Sequence, residues 1–458
     1  RHHTPGMAEK KEGKEGKESK GPLGAFKDVH LLSDEKILAR GVSPKDVGSY
    51  RIRHYRRQLS VDKWIDQLRK ETFPTAIVDL RFAEAKALRG ACDRYNQLQA
   101  KRAQDRKRKR EEEKSTDSPT EEAGDDPDAI GDDEDTASDA SRVVAESKGL
   151  AALIKRIDNA LSKSSFSGQP FFAKLDTRSP KDALLYNPRV LRYRRLVEDE
   201  LAKTSLARFL PCGSQRALDR EMTLGFIRAQ NRALKLHDGQ GTLELFVRSF
   251  RIAEDLMAMT QHGEKHFDGK LVLRQWDDWT ADHPEAEFRC FVHKGKLTAA
   301  TQYFTSCYFA PVHDRRDALA EQIQRFFNEK VKEKLSATHE SYVIDLLVRS
   351  STSDDVQVIE LNTYEAYTGA GLFSWSEDRD VLMNGPFELR VVESDIGVGG
   401  RDKFIAKQWM APVDEHIEFR RLTVLMWVLT LVMVVLAFVA QRLLGESTEY
   451  VVHHSSEE

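Results

Sequence analysis

Hydrophobic positions recur at two distinct periods along the chain. In "VVAESKGLAALIKRIDNALSK" the apolar residues Leu150, Leu153, Ile154, Ile157 and Leu161 fall at three-to-four spacing, which predicts an amphipathic helix. "QLSVDKWIDQLRKETFPTAIVDL" predicts a short helix around Trp64, Ile65 and Leu68, followed by the strand "TAIVDL". "PFFAKLDT" and "KLVLRQW" read as strands, "SPKDALLY" as a turn entering a helix, and "GTLELFVRSFRIAEDLMAM" as a strand followed by a helix. "EFRCFVHKGKLTAATQYF" predicts a hairpin with a Lys-Gly turn, and "RRDALAEQIQRFFNEKVKEKL" an amphipathic helix. "SYVIDLLV" and "VQVIELN" are strands joined by the polar turn "RSSTSDD". Because the later strands come as hairpins, the pattern favours mixed or antiparallel sheets over a doubly wound parallel one.

One segment has no period at all. "LTVLMWVLTLVMVVLAFVA", residues 422–440, carries no charge, glycine or proline. At 1.5 Å per residue it reaches about 28 Å, close to the hydrocarbon thickness of a bilayer. A buried core helix would need protein on every side, and the chain ends soon after. The segment is therefore expected to be a transmembrane helix acting as a C-terminal anchor. Arg420 and Arg421 precede it, so the folded part is expected on the cytoplasmic side with the short tail 441–458 across the membrane.

Composition narrows the class. The 458 residues are 40% hydrophobic and 32% charged with a net charge of −3, which leaves no field selecting nucleic acid, and no direct nucleic-acid partner is expected. The four cysteines show no CxxC pair or zinc-like spacing and read as free thiols. "RHHTPG" precedes the first methionine and is set aside as an overhang, and residues 1–45 are expected to be a disordered tail. A charged linker is expected at 101–141, where a mixed-charge run gives way to "STDSPTEEAGDDPDAIGDDEDTASDA". Its "RKRKR" run could serve nuclear import, but the acidic residues just downstream weigh against that. The remaining boundaries are 46–100 and 142–400 for the folded domain and 401–421 for a juxtamembrane segment.

Two constellations carry candidate chemistry. In "VIELN" Glu360 and Asn362 sit two apart and point to one strand face, while Ile359 and Leu361 face the core. Asp345 is the only acid in "SYVIDLLV". An antiparallel pairing whose partner numbers sum to an odd value puts Asp345, Glu360 and Asn362 on one face. Such hard oxygen donors suit Mg2+, although structural salt bridges would explain the acids equally well. The second constellation is cationic: Lys174, Arg178 and Lys181 around "FFAKLDTRSPKDA", Arg274 inside an apolar strand, and Glu287 with Arg289 in "EFRCFV". Arginines in apolar strands call for an anion, and a triphosphate bound with Mg2+ would serve both groups. No Walker-type loop, GxGxxG, GxSxG or HExxH is present.

The ordered blocks "FFAKLDTRSPKDA", "FVRSFRIAEDL", "LVLRQW…AEFRCFVHKGKLTAATQYF", "YVIDLLV" and "VIELN…GLFSW" resemble the cell division cycle protein 123 family from about Gln58 to Val392. The resemblance implies an α+β ATP-grasp fold, two lobes with mixed or antiparallel sheets clasping ATP and Mg2+. It also implies an assembly chaperone whose partner is the gamma subunit of translation initiation factor 2. By position, Lys174, Ser179 and Lys181 match the phosphate side, and Arg274, Gln275, Glu287 and Arg289 match further ATP contacts. Asp345, Glu360 and Asn362 match metal ligands, with glutamate at 360 where the family commonly has aspartate. The chain departs from the pattern at Tyr303 and Phe304, which replace an arginine and an aspartate, in the segment after Asn362, and in its apolar C-terminal stretch. The alternative activity is that of an ATP-grasp ligase joining a carboxylate to an amine or thiol.

Overall fold

The structure is a computed structural model and describes residues 31–115, 136–210, 214–349, 355–394 and 404–453. The chain begins with α1 (Asp34–Leu38), α2 (Val47–Gln58) and α3 (Val61–Trp64), then β1 (Thr75–Leu80), α4 (Phe82–Ser115), α5 (Thr136–Glu146), α6 (Leu150–Ser162) and β2 (Phe171–Leu175). A helical stretch follows: α7 (Leu191–Ala202), α8 (Gln215–Arg232), α9 (Gly239–Val247) and α10 (Phe250–Thr260). Next come β3 (Gly269–Gln275), α11 (Asp278–Asp282), β4 (Glu287–His293), β5 (Lys296–Gln302), α12 (Ala310–Asp314), α13 (Arg316–Phe326) and α14 (Lys332–Ser336). The chain closes with β6 (Tyr342–Val348), β7 (Val356–Asn362), α15 (Arg379–Asn384), β8 (Glu388–Arg390) and α16 (Met410–His453).

Two sheets organise these elements. The first is three-stranded and antiparallel in the order β1-β3-β2; the second is five-stranded in the order β7-β6-β4-β5-β8, antiparallel except for the β5–β8 pair. The mixed and antiparallel character expected from the hairpin pattern is thus present. The β4–β5 turn places Lys294 at φ 48° and Gly295 at φ 71°, the left-handed pair that a tight two-residue hairpin needs. Alternation along β3 divides the core: Leu271 and Leu273 join a cluster with the helices α4 to α10, whereas Val272 joins a second cluster beneath the five-stranded sheet. Arg274 shares the parity of Val272 and is drawn into that second interior.

Several local expectations change. "GTLELFV" is helix α9, not a strand, because Asp238 caps it through Gly241 N and Leu243, Leu245, Phe246 and Val247 are all buried within the helical layer. "SPKDALLY" forms turns without a helix, and the next helix starts at Leu191. Residues 31–45, placed in the tail by composition, contain α1, whose Ile37 packs with Val42, Val47 and Tyr50. Residues 1–30 and the acidic run 116–135 lie outside the described residues. The helix α16 starts well before the apolar stretch: Val413, Ile417 and Val424 belong to the helical core, as does Trp409 in the turn just before the helix, edge-on to Phe226 at 5.7 Å. The segment 401–421, expected to be juxtamembrane, is therefore partly built into the fold.

Candidate functional site

The site starts from a row across three strands. Arg289 on β4 lies opposite Asp345 on β6, and Asp345 lies opposite Glu360 on β7. Asn362 pairs with Val343, which shares the Asp345 face, so the odd-sum register expected from the sequence is the one adopted. The register shifts between Asp345 and Leu346, where Leu346 pairs with Val358 and Ile359 is left over as a bulge residue. Ile359 consequently does not alternate into the core as the sequence implied; Val356, Val358 and Leu361 do. The bulge instead turns the Ile359 carbonyl toward Arg274.

Charges fill this row. Arg289 grips Asp345 through two parallel bonds, Nε to Oδ1 at 2.9 Å and Nη2 to Oδ2 at 2.8 Å, and donates a third to Gly369 O at 2.9 Å. Asn362 Nδ2 donates to Asp345 Oδ2 at 3.0 Å and to Glu360 Oε1 at 3.4 Å. From the other sheet, Lys174 on β2 reaches Glu360 Oε2 at 2.5 Å, joining the two sheets by a single ion pair. Beyond β2, Lys181 donates to Tyr303 OH at 2.9 Å and sits 4.6 Å from the Tyr303 ring centroid, while the Arg289 guanidinium is 4.9 Å from the same ring.

These neighbours set the protonation of the acids. Burial alone would raise the Glu360 pKa, but Lys174 and Lys181 outweigh it and hold the carboxyl well below its usual range. Burial likewise works against the charged forms of Lys181 and Arg289, yet Tyr303 and Glu287 beside the one and Asp345 beside the other raise both. Glu287 goes the other way: desolvation pushes it up to about 7 despite the nearby Lys181.

A cavity of about 380 Å³ opens over this row. Its wall carries six cations (Arg56, Lys174, Arg178, Lys181, Arg251 and Arg289) against three carboxylates (Asp176, Glu254 and Glu360). Ser179 and Asn362 also line it, and Asp345 lies just behind, fully buried. Other sequence candidates stand elsewhere. Arg274 is buried and occupied by the Ile359 carbonyl, Thr72 Oγ1 at 2.5 Å and Thr75 Oγ1 at 3.2 Å; burial draws its pKa down to about 10. Gln275 donates to Gln169 Oε1 at 2.5 Å, and neither Gln275 nor Glu287 lines the cavity.

Sequence reasoning missed the contribution of α2. Arg56 lines the cavity, 3.4 Å from Glu365 and stacked 5.4 Å from the Tyr367 ring. Arg53 and Arg57 bracket the buried Asp176 on the cavity wall at 2.9 and 3.2 Å. The signal was the basic run "YRIRHYRR", whose arginines at 53, 56 and 57 fall on one side of a helix.

The chain is similar to known proteins over part of its length. Residues 225–415, from within α8 to the start of α16, match the family model described as D123. Individual proteins are similar over shorter stretches. The chain is 29% identical over 126 residues to the translation initiation factor eIF2 assembly protein of Xenopus laevis, covering 28% of this chain and 35% of that protein. It is 34% identical over 107 residues to its counterpart from Dictyostelium discoideum, covering 23% and 26%. The aligned stretches thus span about a third or less of these relatives' length. The structure of Cdc123 from Schizosaccharomyces pombe aligns over 74% of this chain and 98% of its own, with 19% identity and a TM-score of 0.41.

Proposed function

We propose that the cavity binds ATP with Mg2+ between the two sheets in the ATP-grasp manner, and that the chain is an assembly chaperone for translation initiation factor 2, held at a membrane by α16. The excess of six cations over three carboxylates in one cavity carries the nucleotide reading, because clustered Lys and Arg side chains at least partly buried in one wall are stabilised by a polyanion. Lys174, Lys181 and Arg289 would receive phosphate oxygens, and Arg56 and Arg178 also line the cavity.

The residues present fit Mg2+. Both Asp345 oxygens are engaged by Arg289, but among the described residues Glu360 Oε1 has only the 3.4 Å contact from Asn362, and the Asn362 amide nitrogen is the atom that faces the carboxylates. Glu360 and Asn362 would hold the ion together with phosphate oxygens and water, and Asp345 would orient Asn362 behind them. Mg2+ is usually held this way, by one or two carboxylates plus the substrate rather than by an all-protein cage. When bound, the ion would neutralise phosphate charge.

Relatives named as eIF2 assembly proteins supply the client class, and the family resemblance points to the gamma subunit. The membrane reading rests on α16. From Leu425 to Val439 its large apolar side chains are 45–68% exposed on every side, a surface that water does not tolerate on a soluble monomer. Calorimetry on the full chain in detergent tests the nucleotide reading: ATP with Mg2+ should bind, and a chelator should weaken it. Absence of heat at high ATP would defeat the proposal. Capture of initiation factor 2 gamma by the purified chain tests the client.

A further inference from the structure

The membrane face of the domain can be located, given that α16 spans a bilayer. Val424, the third residue of the apolar stretch, is still buried in the helical core. Of the apolar stretch only residues 425–440 are free of the domain, and sixteen residues reach about 24 Å. A hydrocarbon core is about 30 Å thick. This apolar part is shorter than the layer it crosses, so no gap remains between the domain and the bilayer surface.

The surface around this exit has the chemistry of a headgroup contact. Arg420 donates to Thr204 O at 3.1 Å and lies over the Phe209 ring at 5.5 Å, and Arg421 donates to Gln215 Oε1 at 3.1 Å. The segment around Phe209 and the start of α8 therefore flank the helix where it leaves the fold. They present Arg208 and Arg216, both exposed and neither in an ion pair with any described residue. Interleaved with them are Leu206, Phe419 and Leu422, 41%, 67% and 61% exposed. Exposed apolar residues among unpaired arginines suit the boundary between acyl chains and anionic headgroups.

We propose that this collar seats the domain directly on an anionic phospholipid leaflet, so that α16 acts as a rigid strut and not as a flexible tether. The experiment uses the full chain with Cys212→Ser and a fluorophore on Ser205→Cys, since Cys92, Cys290 and Cys307 are buried. The protein is reconstituted in phosphatidylcholine vesicles, with or without phosphatidylserine, containing a headgroup-spin-labelled quencher lipid. The label should be quenched, more strongly with phosphatidylserine. The triple variant R208A/R216A/R421A should still float with the vesicles but lose most of the quenching. Three interfacial arginines amount to roughly a hundredfold in the ratio of seated to lifted domain. An unquenched label on a floating protein, or quenching unchanged in the triple variant, overturns the collar. Failure to float overturns the membrane reading itself.

Discussion

Removing Asp345 should destabilise the fold more than a typical surface charge change, and the structure gives the size. The Asp345 side chain is fully buried and its partner Arg289 is 13% exposed. Asp345→Ala deletes two charge-assisted bonds at 2.8 and 2.9 Å and the bond from Asn362. Breaking a buried pair from one side costs about 3–5 kcal/mol, because a charge is left without its partner. Arg289 keeps Gly369 O and the Tyr303 ring, so we place the loss near the lower end, at about 3 kcal/mol. Equilibrium urea unfolding of the full chain in detergent measures it. The double variant D345A/R289A removes both charges and should lose clearly less than the sum of the single changes, with a coupling of about 2 kcal/mol. A loss under about 1 kcal/mol, or additive single effects, would refute the view that this pair holds the site together.

Lys174→Met should weaken Mg·ATP binding by about tenfold or more, since a charge-assisted contact of about 1.5–3 kcal/mol is lost; calorimetry reads it directly. Glu287 titrates at about 7 in the fold against an ordinary 4.5, so the folded chain retains a proton that the unfolded chain releases between those values. Its contribution to stability must therefore fall as pH rises across that window, and Glu287→Gln should flatten the slope seen in urea midpoints across it. Trp409→Ala should cost about 3–5 kcal/mol in the domain itself, because its ring is wholly buried and its Nε1 donates to Leu184 O at 3.1 Å. An unchanged urea midpoint would show that the turn leading into α16 is merely appended.

Much of this architecture could be read locally. The β6–β7 pair was legible because a lone acid in each of two apolar runs, with a polar turn between them, leaves few registers that keep both runs buried. The apolar C-terminal stretch was legible because nothing interrupts it. Helix α9 was misread for the opposite reason: "TLELFV" is apolar on nearly every side, and only its packing within the helical layer shows that it is helical.

What the sequence could not disclose is which charges spend themselves on the fold and which remain available. Arg274 and Arg289 look alike in sequence, each an arginine in an apolar strand. A single bulge separates their fates: Ile359 turns its carbonyl onto Arg274, which then satisfies a buried backbone acceptor and two threonines, while Arg289 stays on the open side of the row. Arg56 shows the converse. It lies more than a hundred residues before Lys174, yet α2 folds back to set it on the same cavity wall. Spacing along the chain can nominate an arginine, but whether it can receive a ligand depends on where packing leaves its guanidinium. Arg274 and Arg289 each donate three hydrogen bonds, yet only Arg289 lines the cavity. A basic residue in an apolar strand is therefore a candidate ligand contact only where its guanidinium still borders open space.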